Sequence, residues 1–186
     1  MAAARLTVAL GGSEVAEHRG NTMTIADLLS EFSIKIYEPP LSDLRDNGGV
    51  RDLSDPIAVV MLILDFETEV SMNGITNFIG NSTGIYSIET VAALDLIGCS
   101  NQSQQLKTIL EIATAAGMTH DTIQQDRSGL SEYEITSFAK LHGEIWDYAS
   151  AQIDKLESAI DYTDIMDNAA KFVAKHQNEF CVALGR

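Results

Sequence analysis

The sequence predicts an all-α protein, a compact multi-helix domain with long C-terminal helices. Two observations support this prediction: apolar residues recur at helical spacing along most of the chain, and no stretch alternates as a half-buried strand would. A third is size, because 186 residues with 45% apolar composition suffice to bury one core. We therefore expect residues 22–186 to form a single helical, acidic domain. Residues 1–21 are rich in Ala and Gly without a sustained period, which predicts a flexible N-terminal arm or an expression remnant.

The first predicted helix begins after Thr24, a suitable N-cap, and the pair Pro39-Pro40 stops the pattern. A connector rich in Gly and Asp, residues 41–52, follows it. Asp55 and Pro56 then have the character of an N-cap and a first helical residue.

The segment after Pro56 is apolar on all sides from Ile57 to Leu64, which predicts a buried element. Four of its residues are β-branched, so a buried strand stays open as an alternative. Phe66 and Val70 continue the apolar face beyond Asp65, and that length favours a helix.

A helical hairpin is predicted next. Its first helix ends near Gly98, and its second is capped by Ser100 or Asn101 and closed by Gly117 as a left-handed residue. Residues 118–130 are polar, with turn signals at their end.

The C-terminal part predicts two long helices. The first runs from Ser131 to about Ile160, starting in a capping box formed by Ser131 and Glu134. The second covers roughly Asp164 to Phe180.

Charge is the strongest global signal. The formal net charge is −15, with 27 acidic against 12 basic residues. Such a charge repels nucleic acid and anionic membranes and favours basic protein partners, although it also serves plain solubility. The longest apolar run is too short to cross a bilayer, and the start lacks a signal-peptide core, so we expect a cytoplasmic protein.

Acidic residues concentrate on the predicted C-terminal helix. At 100° per residue, five of them fall on one flank of a helix running through Ile160. Between Ser131 and Asp167 there are nine acids and only two lysines, so opposite-charge pairs four residues apart are scarce. A second concentration lies in the connector and around the apolar run. We therefore predict an acidic face that binds a basic partner, formed by Asp147, Asp154, Glu157, Asp161, Asp164, Asp43, Asp46, Asp52, Asp65, Glu67 and Glu69.

Catalytic patterns are weak in this sequence. The four histidines show no metal-ligand spacing, and Cys99 and Cys181 lie 82 residues apart without a CxxC motif. We expect no metal, no cofactor and no enzymatic activity. The alternative in a different class is a small hydrolase or ligand-binding domain that uses carboxylate and histidine side chains in a helical cleft.

One stretch carries a motif. Residues 72–84 read Met-Asn-Gly-Ile-Thr-Asn-Phe-Ile-Gly-Asn-Ser-Thr-Gly, which lacks the lysine and spacing of a phosphate loop. Its order of features resembles a small acidic bacterial family named for a DNA-mimic protein, over about residues 55–180. The residues that match the family's usual string are Gly74, Ile75, Phe78, Ile79, Asn81, Ser82 and Gly84, whereas Met72 and Asn73 depart from it. We expect a structural motif formed by Asn73, Gly74, Phe78, Asn81, Ser82 and Gly84.

The resemblance implies an all-helical fold in which this stretch is a structural elbow. Asn73-Gly74 would break one helix, Phe78 and Ile79 would anchor in the core, and Asn81 to Gly84 would form a capping turn. It also implies a possible homodimer that occupies the DNA-binding surface of a helix-turn-helix transcription factor. An immunity-type inhibitor of a basic nuclease toxin would share the same electrostatics, and in neither case would the chain bind nucleic acid directly.

Overall fold

The computed structural model describes residues 23–129 and 142–186 of the chain. Within these residues all regular structure is helical and there is no strand, which confirms the predicted all-α class. The α-helices are α1 (Ile25–Lys35), α2 (Leu41–Asp46), α3 (Pro56–Asn73), α4 (Ile75–Gly80), α5 (Ser87–Leu96), α6 (Ser100–Ala115), α7 (His120–Gly129), α8 (Glu144–Glu157), α9 (Tyr162–Lys175) and α10 (Gln177–Ala183). Two short 3-10 helices cover Gly49–Arg51 and Ser82–Tyr86.

Helix α3 is the centre of the fold. Its N-cap is Asp55, whose side chain accepts a hydrogen bond from Ile57 N, and Pro56 stands at the first position as predicted. Every residue from Ile57 to Phe66 is buried. A helix that is apolar on all sides must be surrounded by other elements, and α3 packs against α4, α5, α9 and α10.

The core joins distant parts of the chain through aromatic pairs. Phe66 of α3 meets Phe78 of α4 edge to face, with ring centroids 5.1 Å apart. Phe32 of α1 meets Phe180 of α10 in the same way at 4.9 Å. Such pairs add roughly 0.5–1.5 kcal/mol each beyond the area they bury. The first and last described helices are thereby tied to the same core.

The capping predictions have mixed outcomes. Thr24 and Asp27 form a reciprocal capping box on α1, which confirms the predicted start. Gly117 has a φ of 78° just after α6, also as predicted. The predicted cap of α6 at Ser100 or Asn101 is wrong, because the helix already begins at Ser100 and its N-cap, Cys99, makes no side-chain cap.

The predicted long helix through Ile160 is also wrong. Helix α8 begins at Glu144, after Gly143 in a left-handed conformation, and ends at Glu157. Ile160 is buried, but it lies in the turn before α9. Asp161 caps α9 by accepting a hydrogen bond from Thr163 N, 3.0 Å away. The apolar spacing continues across the turn because the turn keeps Ile160 directed into the core.

Three further segments differ from prediction. The predicted last helix divides at His176 into α9 and α10, although Phe180 is buried as expected. The connector at 41–52 contains α2 and a 3-10 helix, and the polar stretch 118–130 contains α7. Helix α7 lacks a clear apolar stripe; beside the buried Ile123, its polar side chains His120, Gln124 and Arg127 contact carbonyl groups of α4.

Several predictions fall outside the described residues, namely the N-terminal arm at 1–21 and the capping box at Ser131 and Glu134. The single-domain boundary at residue 22 stays a prediction. No described helix combines the length and the apolar character that a membrane crossing requires.

Candidate functional site

The structure separates the predicted acidic residues by their exposure and by whether their carboxylates bond to distant parts of the chain; Asp161 makes only its local cap with Thr163 N. One group is partly or fully buried and bonded to other parts of the chain. A second group is exposed on α8, on α9 and on the turn between them. We name the second group the C-terminal acidic face and define it as Asp147, Asp154, Asp161 and Asp164.

Asp65 belongs to the interior and not to a partner surface, which corrects the prediction. It lies in the middle of α3 with 4% of its surface exposed. Arg45 of α2 donates two hydrogen bonds to its carboxylate, at 2.9 Å and 2.7 Å. Burial raises the pKa of Asp65 to about 6, while the charge and the hydrogen bonds of Arg45 oppose that rise. This pair fixes α2 onto the central helix.

Glu157 has an internal role at the end of α8. Its carboxylate accepts a hydrogen bond from Ile75 N at 3.1 Å and lies against Gly74. Helix α4 has no side-chain cap of its own, so Glu157 supplies one from 82 residues away. Partial burial raises the pKa of Glu157, and the bond from Ile75 opposes that rise.

Position 74 requires glycine for two reasons, its backbone conformation and the closeness of the Glu157 carboxylate. Its φ is 79° and its ψ is 168°, a region open essentially to glycine alone. A Cβ at this position would also stand 3.3 Å from the Glu157 carboxylate. The predicted break at Asn73-Gly74 is confirmed, since α3 ends at Asn73.

Asn81 links α3 to α7. Its side-chain amide donates to the Glu69 carboxylate, and its side-chain oxygen accepts from Arg127 at 2.9 Å. Arg127 also donates to Gly80 O at 3.1 Å and to the Asn77 side-chain oxygen at 3.2 Å. A single guanidinium thus holds the C-terminal end of α4, where unpaired carbonyl groups favour a cation.

The rest of the motif packs as predicted, with one correction. Phe78 and Ile79 are buried anchors. The expected capping turn at Asn81–Gly84 is instead the start of the 3-10 helix Ser82–Tyr86, and Asn81 makes no side-chain cap. Position 84 requires glycine because the backbone of α4 lies so close that a Cβ there would stand 2.2 Å from Ile79 O. The motif is therefore a structural elbow.

The C-terminal acidic face is exposed throughout. Asp147 and Asp154 lie two turns apart on one flank of α8, about 10 Å along its axis. Asp161 and Asp164 line one polar cleft of about 430 Å³ beside the first turn of α6. The helix prediction placed Asp161 and Asp164 on α8, whereas they belong to the next helix.

Among the described residues, no lysine or arginine forms an ion pair with this face. Residues 144–167 contain seven acids and a single basic residue, Lys155. In the described ranges, 23–129 and 142–186, every ion pair of a lysine or arginine involves an acid outside this stretch. Glu144 and Asp167 are exposed as well and were missing from the predicted set, although Glu144 lies three residues before Asp147 and Asp167 lies three residues after Asp164, so their spacing could have indicated them.

The other predicted acids form a separate group. Asp43, Asp46 and Asp52 are exposed on α2 and after the first 3-10 helix, and those two elements pack against each other. Helix α8 packs instead against α6 and α4. Glu67 is half-buried on α3. The exposed acids of the predicted face therefore form two groups, on elements with different principal neighbours, and Asp65, Glu69 and Glu157 form a third, internal group.

Two of the histidines and Cys99 make contacts within the protein. His142 pairs with Asp126 at 2.5 Å and stacks on Trp146, while His120 lies 3.3 Å from Ile79 O. Cys99 is buried, which raises the pKa of its thiol, and it accepts a hydrogen bond from Asn168. Within the described residues, no group of three or more His, Cys, Asp or Glu side chains lies close enough together to hold a metal ion.

The comparison with protein families places this arrangement in context. Residues 51–176 match the family described as DMP19-like protein. The chain belongs to the DMP19-like protein family. Comparisons with curated proteins and with solved structures give no significant match.

The DMP19-like match confirms the resemblance that the motif indicated. Its range contains the elbow at residues 73–84 and the whole C-terminal acidic face. Asp43 and Asp46 precede the range. In this DMP19-like chain, the family region therefore carries both the internally bonded carboxylates and the exposed ones.

Proposed function

We propose that this DMP19-like chain is a non-enzymatic acidic binding protein that imitates DNA and occupies the basic DNA-binding surface of another protein. The observation that carries the proposal is the C-terminal acidic face, whose four carboxylates are exposed while no lysine or arginine ion pair of the described residues reaches them. An exposed carboxylate without an ion pair keeps its charge available to a partner.

The distances between the exposed carboxylates indicate that more than one helix must contribute to a DNA-like surface. Asp147 and Asp154 are about 10 Å apart along α8, whereas duplex DNA places one phosphate about every 3.4 Å per strand. Helix α8 alone is therefore too sparse to imitate a strand. Asp161 and Asp164 on the next turn and helix add charge from a second element, and the neighbouring Asp167 extends it.

The partner that fits is a basic protein, either a helix-turn-helix transcription factor or a nuclease. Both present lysine and arginine side chains that normally contact phosphates. Electrostatic complementarity of this kind increases the association rate of the two proteins and favours partners with a positively charged surface. The homodimer and the cytoplasmic location stay predictions.

The test is capture of basic proteins followed by competition with DNA. The immobilised chain is incubated with bacterial lysate, and bound proteins are released with salt and identified. We expect DNA-binding proteins whose retention is abolished by their own duplex DNA. Retention unaffected by an excess of that DNA would contradict occupation of the DNA-binding surface.

Matched variants distinguish binding by this face from binding that depends on net charge alone. Asp147→Asn, Asp154→Asn and Asp164→Asn together remove three charges from the face. Asp43→Asn, Asp46→Asn and Asp121→Asn remove the same charge elsewhere on the exposed surface. We expect loss of capture in the first triple variant only, and equal losses in both would attribute binding to net charge alone.

A further inference from the structure

Helix α5 has an apolar stripe on each of two opposite faces. Thr90, Ala93 and Leu94 are buried and face the core. Ile88 and Ala92 lie on the opposite side, at positions that a surface helix normally gives to polar residues. Ile88 is 70% exposed, which leaves a large apolar side chain in water.

The outer stripe of α5 forms one wall of a groove. The groove has a volume of about 700 Å³ and runs between α5 and α6. Its apolar lining is Ile88, Val91, Ala92, Leu110 and Ala115. We name it the α5–α6 groove.

The two helices that form the groove are joined at its floor by a buried hydrogen bond. The Ser103 hydroxyl of α6 donates a hydrogen bond to Val91 O of α5 at 2.9 Å, and Ser103 is buried. The two helices also form one of the most extensive helix contacts in the fold. A preformed groove binds with less ordering cost than one that must open.

The rim of the groove carries more negative than positive charge. Asp95 and Glu111 line it from opposite helices and are both exposed. Neither takes part in an ion pair with any lysine or arginine in the described residues. Lys107 also lines the groove, and its long aliphatic stem adds to the apolar wall.

We infer that the α5–α6 groove binds an amphipathic helix with a basic flank, supplied by the protein partner. The apolar face of that helix would cover Ile88, Val91 and Leu110, and its basic side chains would meet Asp95 and Glu111. Helix α5 has ten residues, so its groove is about 15 Å long and receives roughly three turns of a helix. The basic character of the occupant rests on the proposed function.

Charge argues against a second copy of this chain as the occupant. A second copy docked through the same groove would bring its own Asp95 and Glu111 near the first pair. Like charges brought together in this way oppose association.

The inference is tested with synthetic peptides of about 14 residues. One carries Leu at helical spacing and Lys on its other faces, and the second has the same composition in scrambled order. We expect the first to bind at least about tenfold more tightly at physiological salt, and amide chemical shifts to change around residues 88, 95 and 111. Equal affinities, or shift changes centred elsewhere, would overturn the inference.

Matched variants locate the binding. Ile88→Ser removes the exposed apolar side chain from the groove, and Met72→Ser removes one with similar exposure from the end of α3. We expect the preference for the ordered peptide to fall about tenfold in Ile88→Ser only. Sedimentation measures whether the chain self-associates. If the unmodified chain is a dimer and Ile88→Ser makes it a monomer, the groove binds a second copy and the inference is overturned.

Failure of the inference and failure of the proposed function give different results. The Asp147→Asn, Asp154→Asn, Asp164→Asn triple variant should lose DNA-binding proteins but keep the peptide preference. Captured DNA-binding proteins that are insensitive to Ile88→Ser would overturn the groove inference alone. A peptide preference that depends on Ile88, without any DNA-binding protein retained, would sustain the groove and overturn the proposed function.

Discussion

Two regions use the same side chain in opposite ways. Around the elbow, the carboxylates of Asp65, Glu69 and Glu157 accept hydrogen bonds from other parts of the chain. On the C-terminal acidic face, Asp147 and Asp154 are exposed. The difference shows that carboxylates have two roles here: in the first region they hold helices together, and in the second they present negative charge to solvent.

The energetic consequences of the two arrangements differ in kind. Removing one partner of a buried ion pair leaves the other charge buried and uncompensated, which costs roughly 3–5 kcal/mol. Exposed acids close to one another repel, and those in the first turn of a helix interact favourably with its dipole, so removing one changes stability little. Variants in the first region should therefore change stability, and variants in the second should change binding.

The largest expected effect is from Asp65→Ala. Arg45, whose side chain is 15% exposed, would lose its counter-charge, and we expect the free energy of unfolding to fall by about 3 kcal/mol in urea denaturation, the lower end of the range for buried pairs because solvent reaches Arg45. Asp43→Ala, an exposed acid on α2, is the control and should change it by less than about 0.5 kcal/mol. Similar losses of unfolding free energy in both variants would contradict the proposed difference between buried and exposed acids.

The second effect is a dependence of stability on pH. The pKa of Asp65 is about 6 in the folded protein against 3.8 in the unfolded chain, mainly because burial disfavours the charged form. The folded state therefore binds more protons between these values, and this contribution to stability is complete below pH 3.8 and lost as pH rises through 6.

The measurement is the free energy of unfolding of the unmodified chain relative to Asp65→Asn. The difference should decline by up to about 3 kcal/mol between pH 4 and pH 6, since Asn does not titrate. A difference that is constant, or that grows with pH, would show that Arg45 governs the pKa of Asp65 more strongly than burial does.

Arg127→Ala should have a smaller effect. It removes the donor to Gly80 O and to the side chains of Asn77 and Asn81, and we expect a loss of about 2 kcal/mol in chemical denaturation. Lys155→Ala, on the exposed side of α8, is the matched control. A loss no larger than that of the control would show that Arg127 does not hold the elbow.

The smallest effect on stability is expected from Asp147→Asn, Asp154→Asn and Asp164→Asn together. The free energy of unfolding should fall by no more than about 1 kcal/mol, because Asp147 and Asp164 lie in the first turns of their helices and interact favourably with the helix dipoles, while relief of repulsion between acids offsets part of that loss. Thermal and urea unfolding would measure it. A loss of several kcal/mol would place these acids with the internal group.

The sequence predicted the elements that depend on local chemistry. The start of α3 at Asp55-Pro56, the capping box at Thr24 and the break at Gly74 all follow from properties of single residues or near neighbours. The core residues of α3 followed from its continuous apolar run. These features need no knowledge of distant contacts.

The remaining features depend on contacts between distant residues. Nothing near Asp65 in sequence indicates Arg45, which lies 20 positions earlier, and Glu157 reaches Ile75 across 82 positions. Helix α7 was missed because it lacks a clear apolar stripe, and its polar side chains contact carbonyl groups of α4. Helical periodicity also continued through the turn at Ile160, so it placed Asp161 and Asp164 on the wrong helix.

The most direct test of the account is the salt dependence of binding between this chain and a captured DNA-binding protein. We predict that affinity falls steeply from about 50 to about 500 mM salt, because the exposed charges are screened. The Asp147→Asn, Asp154→Asn, Asp164→Asn variant should bind more weakly and respond less to salt. Affinity that is independent of salt, or equal in both proteins, would contradict a partner-binding role for the C-terminal acidic face.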